Sequence, residues 1–148
     1  MNYKAVPEDV LKEILLLTEA KKKIELREQA QEKFMPFAHH VYDGFIEGRH
    51  HRVIAEKLEK VARGEIKRLI VNMPPRHSKS EFASFMMPAW FLGRNPKLKI
   101  IQATHNTELA VRFGRKVRDL IADPQYQEVF PDTSLKEDSK SAGRWQTS

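Results

Sequence analysis

The sequence predicts an α/β fold: an incomplete βαβ core, with a parallel sheet flanked by helices, preceded by an N-terminal helical segment. Three observations carry this. "KRLIVNM" (67–73) and "LKIIQAT" (98–104) are short apolar, β-rich runs of the kind buried on both faces of a parallel sheet. The segment between them, Ser80 to Leu92, is helix-like. A further helical stripe, Leu109, Phe113, Val117, Leu120 and Ile121, supplies a second crossover.

Taken in order, the chain first shows Val10, Ile14, Leu17 and Ile24 at helical spacing, with Lys21 interrupting, so that Glu8 to Lys33 is expected as an amphipathic helix. Its polar side is acidic as well as basic, which favours a solvated helix packed by one face over a membrane-surface helix. "KFMPFAHHVYDGF", punctuated by Pro36 and Gly44, is an aromatic-rich junction. Ile54, Ala55, Leu58, Val61 and Ala62 form another stripe, closed by Gly64 as a C-cap. Pro88 is expected to kink or shorten the helix after the first strand. Asn106 is a candidate N-cap for the helix that follows. After Asp123-Pro124 the apolar pattern fades. Two units are expected: the N-terminal helix, 1–33, and a second unit, 34–148.

The chain of 148 residues has no cysteine, which excludes disulfides, thiolate metal sites and cysteine nucleophiles. No apolar run approaches the roughly 20 residues that span a bilayer, and the N-terminus has no signal-like core, so a soluble, cytoplasmic protein is expected. The formal charge of +6 is concentrated in the middle: Gly44 to Leu120 holds sixteen Lys and Arg against seven Asp and Glu. Such an excess suits a polyanionic partner, although many ordinary soluble proteins are as basic.

The segment "RLIVNMPPRHSKSEFA" carries the candidate chemistry. A phosphate-binding loop, GxxxxGK[ST], uses glycines to curl the backbone so that successive N–H groups face phosphate oxygens. Here Lys79-Ser80 fit its end, while Met73 and Ser78 stand at the glycine positions. Pro74 and Pro75 donate nothing but stiffen the entry. Arg76, His77, Ser78, Lys79 and Ser80 offer five consecutive backbone donors ahead of a helix N-terminus. Lys79 would neutralise β- and γ-phosphate oxygens, the Ser80 hydroxyl would bind Mg²⁺, and Arg76 would reach a γ-phosphate. In isolation a Lys-Ser pair without glycine is an ordinary basic turn. Its position between an expected strand and a helix is what favours a nucleotide site.

Taken with "HHRVIAEKLEKVARGE" before it and "PAWFLGRNPKLKIIQATHNTELAVRFGRKVRDLI" after it, this segment resembles the N-terminal P-loop ATPase domain of the large terminase subunit of tailed bacteriophages, over about Phe34 to Trp145. That resemblance implies a motor that binds ATP and Mg²⁺ and drives double-stranded DNA into a capsid. The implied partners are a small terminase subunit, a portal and further copies in a ring. By the same likeness Lys79 and Ser80 match the Walker A lysine and hydroxyl, and Arg76 its γ-phosphate sensor. Pro75, His77 and Ser78 complete the loop, and "FMPFAHH" matches an adenine-side segment with Phe37 and His39 as contacts. The family's acidic Walker B strand, water-activating carboxylate and nuclease domain have no counterpart here. A severed front half, inactive in hydrolysis alone, is therefore expected.

Two rival expectations stand beside this one: a non-catalytic remnant that binds nucleic acid or subunits, and another, helicase-like P-loop ATPase. Arg112 and Arg115, on the polar side of the helix after "LKIIQAT", are candidates for DNA or inter-subunit contact. The pairs His39-His40 and His50-His51 lack acidic or cysteine partners at ligand spacing, so surface or polar-core roles are expected of them. Asp43 and Glu47 suit a solvated face, and no nucleophile triad is indicated.

Overall fold

The computed structural model describes residues 7–140 and 145–147, with side chains described to residue 136 and again from 145. The first six residues of the expected N-terminal unit, and Ser148, lie outside the described part. Six α-helices are described: α1 (Glu8–Glu32), α2 (Phe34–Val41), α3 (Arg49–Ala62), α4 (Met87–Arg94), α5 (Thr107–Ile121) and α6 (Pro124–Val129). A π-helical segment, Glu81–Met86, runs directly into α4. The strands β1 (Leu135–Lys140) and β2 (Trp145–Thr147) pair antiparallel into a two-stranded sheet.

This corrects the expected α/β class. The protein is mostly helical, and no parallel sheet core of the P-loop type is present among the described residues. Neither 67–73 nor 98–104 forms a strand. Ile70 is 85% exposed and Ile101 is 95% exposed, the opposite of strands buried on both faces. The physical reason is that a strand is completed by its neighbours. An apolar β-branched run supplies local preference, but a ladder needs partner strands on either side, and none is placed there among the described residues.

Helices fare differently because their hydrogen bonds close locally. α3 ends at a Schellman motif: Gly64 has φ +76°, its N–H donates to Val61 O, and the Glu65 N–H donates to Lys60 O. α5 begins where the Asn106 side chain accepts from the Leu109 N–H at 2.8 Å. Pro88 sits where the π-helical segment passes into α4, and it has no N–H to give the preceding turn. With no Pro88 N–H to take it, the Ser84 carbonyl accepts instead from the Gln102 side chain at 3.0 Å, which ties the 98–104 segment to the helix.

The core is aromatic and lies where α2, the π-helical segment, α4 and α6 meet. Phe34, Phe37, Phe82, Trp90 and Tyr126 are fully buried, and most of their contacts are tilted or edge-to-face. Their polar atoms are satisfied: Trp90 Nε1 donates to Ala30 O at 3.0 Å and the Tyr126 hydroxyl to Ala89 O at 2.9 Å. Burial pushes the Tyr126 phenol well above its ordinary pKa. Glu59 of α3 accepts from the Phe34 N–H at 2.9 Å, capping α2 from a distance.

The described segments after Asp123-Pro124, where the apolar pattern is expected to fade, join this body. Asp123 caps α6 through its side chain, Pro124 opens the helix, and Tyr126, Val129 and Phe130 enter the core. Trp145 Nε1 donates to Gly114 O, and the Thr147 hydroxyl to Pro96 O. α1 departs from expectation too. Only its C-terminal end packs against the body, so it is not a helix laid down along one face.

Candidate functional site

The loop from Pro74 to Ser80 leads into the helical run that continues through α4. Its backbone is the informative feature: Arg76 has φ +63° and Ser78 has φ +60°, and both are non-glycine residues in the left-handed region. Such residues are uncommon and cost roughly 1–2 kcal/mol each, so a loop that holds two of them within three positions is shaped by its context. Alternation of handedness along a short stretch turns successive N–H groups to one side, forming a concavity that accepts an anion. Ser78 occupies the position at which the usual phosphate loop has glycine, and it adopts the conformation for which glycine is used.

The amides follow suit. The Phe82 N–H donates to Ser78 O at 2.9 Å, which starts the helix. Among the described residues, no acceptor takes the amides of Ser78, Lys79 or Ser80. Lys79, Ser80 and Arg76 are exposed, and none of them has an ion pair among the described residues. Glu81, next to Ser80, is held by both its oxygens to Lys116 Nζ at 3.0 Å. Lys116 also lies over the Phe85 ring at 4.9 Å. This clamp fixes the start of the helix against α5 and engages the carboxylate closest in sequence to the loop.

Behind the loop lies a histidine–aromatic stack. His50 and His51 have ring centroids 3.8 Å apart, and His77 of the loop approaches His50 at 5.5 Å. His51 stacks on Phe82 at 5.1 Å and contacts Phe45. Its Nδ1 accepts from the Gly48 N–H at 2.9 Å, so the neutral ring carries its proton on Nε2, which is buried without a partner. Burial, reinforced by neighbouring His50, holds the His51 pKa below the ordinary imidazole value. His77 Nδ1 hydrogen-bonds Pro75 O at 2.8 Å, bracing the loop's entry.

The remaining expected residues fall apart from the loop. Phe37 is fully buried against Tyr126 and Phe130, so it offers a base no face and serves the core. His39 is exposed and hydrogen-bonds Glu47 at 2.8 Å. Glu47 also accepts from Arg52, and these two partners, Arg52 first, depress its pKa. Phe45 touches both His39 and Phe82, and so lies between His39 and the loop's helix. Arg112 and Arg115 line an open groove of about 440 Å³ on the outer side of α5, together with Glu108 and Asp119. Lys116 lines the same groove, but its ammonium is engaged by Glu81.

Sequence reasoning missed the Glu81–Lys116 clamp and the placement of His50 and His51 beside the loop. The first joins residues 35 positions apart, and nothing local announces it. The apolar positions of α3 and the aromatic position of Phe82 are the only signals that bear on the second. Among the described residues, no helix is long and apolar enough to cross a membrane, and no group of three or more His, Asp or Glu is placed to hold a metal ion. No family model, curated protein or solved structure matches the chain.

Proposed function

We propose that the loop Pro75 to Ser80 binds the phosphates of ATP with Mg²⁺, and that the chain belongs to the ATPase portion of a phage DNA-packaging motor of the terminase large-subunit kind. The observation that carries the reading is the pair of left-handed residues, Arg76 and Ser78, at the head of a helix whose first amides have no acceptor. On this reading the amides of Ser78, Lys79 and Ser80 hold phosphate oxygens. Lys79 neutralises them, Arg76 contacts the terminal phosphate, and Ser80 contributes its hydroxyl to Mg²⁺. On this reading the cradle stands on helices alone, with no parallel sheet beneath it among the described residues.

The proposal assigns binding to these residues. Turnover additionally requires a carboxylate to activate water, and Glu81 is engaged by Lys116. Double-stranded DNA, a small terminase subunit, a portal and further copies in a ring, all in the cytoplasm of a host cell, are the setting that the resemblance proposes. Arg112 and Arg115 are the proposed contacts to DNA or to a neighbouring subunit.

A second reading is favoured by a specific observation. Arg112 and Arg115 have no ion pair among the described residues, as expected of a module that binds nucleic acid alone. Titration with a fluorescent ATP analogue and Mg²⁺ separates the two. The nucleotide reading expects saturable binding that Lys79→Ala weakens at least about tenfold, the loss of one charge-assisted contact. Binding to DNA with no uptake of the analogue would leave only the second reading.

A further inference from the structure

We infer that α1 is a dimerisation element and that its first four turns pair antiparallel with the same turns of a second copy of this chain. Its C-terminal end is docked: Ala30 is buried, Gln31 Nε2 donates to Val129 O at 2.6 Å, and Lys23 reaches Glu128 at 3.2 Å. Among the described residues, nothing from the body covers it before Lys23. Leu15, Leu16 and Leu17 are 61%, 66% and 63% exposed, and Val10, Leu11 and Ile14 are exposed too. Of these, Leu11, Ile14 and Leu15 share one side of the projecting helix, whereas Leu16 and Leu17 point to other sides.

The charges identify the partner. Glu8, Lys12, Leu15, Glu19 and Lys22 succeed one another at spacings of four, three, four and three, which places them in one row along the helix, beside Leu11 and Ile14. Read backwards, the row becomes Lys, Glu, Leu, Lys, Glu. A second copy laid antiparallel about Leu15 therefore sets Glu8 against Lys22, Lys12 against Glu19, and Leu15 against Leu15, so that every charge meets its opposite and each of the two pairings occurs twice. Parallel pairing would set each charge against its like. This self-complementarity is what an isologous two-fold interface requires. The one intrahelical pair that must give way, Glu8 with Lys12 at 3.0 Å, is largely solvent-exposed on both sides and so holds little energy. The inference uses no part of the nucleotide loop and stands apart from it.

Sedimentation velocity on the whole chain over a concentration series tests it, with circular dichroism confirming that each variant stays helical. The wild type is expected to be a concentration-dependent dimer. Leu15→Glu puts two like charges at the dyad and is expected to weaken the dimer about a hundredfold. Glu8→Lys with Glu19→Lys makes the row wholly basic, Lys12→Glu with Lys22→Glu makes it wholly acidic, and each double variant alone is expected to be monomeric. Mixed in equal amounts, the two double variants are expected to recover a heterodimer. In a chain without native cysteine, Leu15→Cys is expected to form a disulfide dimer under mild oxidation. A wild type that is monomeric at every concentration overturns the inference, and so does a mixture of the two double variants that fails to associate.

Discussion

The aromatic core and the 74–80 loop are covalently adjacent yet obey opposite rules. In the core every large ring is enclosed, and the polar atoms of Trp90 and Tyr126 find backbone acceptors. In the loop two residues are held left-handed, the amides of Ser78 to Ser80 have no acceptor among the described residues, and Arg76 and Lys79 lie in solvent. The difference teaches where stability is made and where it is spent. Phe82 belongs to the core and follows the loop by two residues, so the rigid part holds the strained part in shape. That arrangement is common to sites that bind a ligand with their backbone.

The comparison can be broken most severely from the core side. Phe34→Ala empties a fully buried position packed on Phe82 and Trp90. It is expected to cost about 3–5 kcal/mol, measured by urea unfolding. A cost below ~1 kcal/mol would show that the core is looser than its burial implies.

Next in size is the loop itself. Ser78→Val forces a β-branched residue into the left-handed region and is expected to cost about 1–2 kcal/mol. Ser78→Gly is expected to be neutral or mildly stabilising while preserving the left-handed turn. Urea unfolding of the two variants checks this. Equal stability for valine and glycine would mean that the positive φ at Ser78 is not maintained in solution.

The smallest expected effect lies at the seam between the two regions. His51 is buried neutral and its pKa in the folded protein is lowered, so the folded state binds fewer protons than the unfolded chain at mildly acidic pH. Its contribution is fully present above the unfolded imidazole value of about 6.5 and is lost as pH falls from there toward the lower folded value. Wild type is expected to lose stability over that window more steeply than His51→Phe, measured by thermal unfolding at a series of pH values. Parallel profiles would remove His51 as the cause.

What was legible in the sequence follows the range of the interactions. α3 and α5 were legible to their caps because Gly64 and Asn106 act within a turn of the helices they close. The expected strands were not fulfilled, because "RLIVNM" and "LKIIQAT" state a preference whose completion depends on other segments, and Ile70 and Ile101 remain uncovered. α6 was hidden by its shortness. Even so, Asp123-Pro124 is a start signal, and Tyr126, Val129 and Phe130 stand at helical spacing. Lys79 and Ser80 were visible as residue types. The left-handed turns at Arg76 and Ser78 were not, since neither is glycine. For Phe37 the sequence leaves two roles open, because an aromatic residue suits a base and a core equally well, and its burial is what speaks for the core.

The claim that matters most is that main-chain amides of this loop bind phosphate, and amide chemical shifts report it without an intermediary. In a nitrogen–proton correlation spectrum of the labelled chain, ATP with Mg²⁺ is expected to move the Ser78, Lys79 and Ser80 amides markedly downfield. AMP, which lacks the β- and γ-phosphates, is expected to leave them nearly in place. If those three amides stay unmoved at saturating ATP and Mg²⁺, the phosphate cradle does not exist.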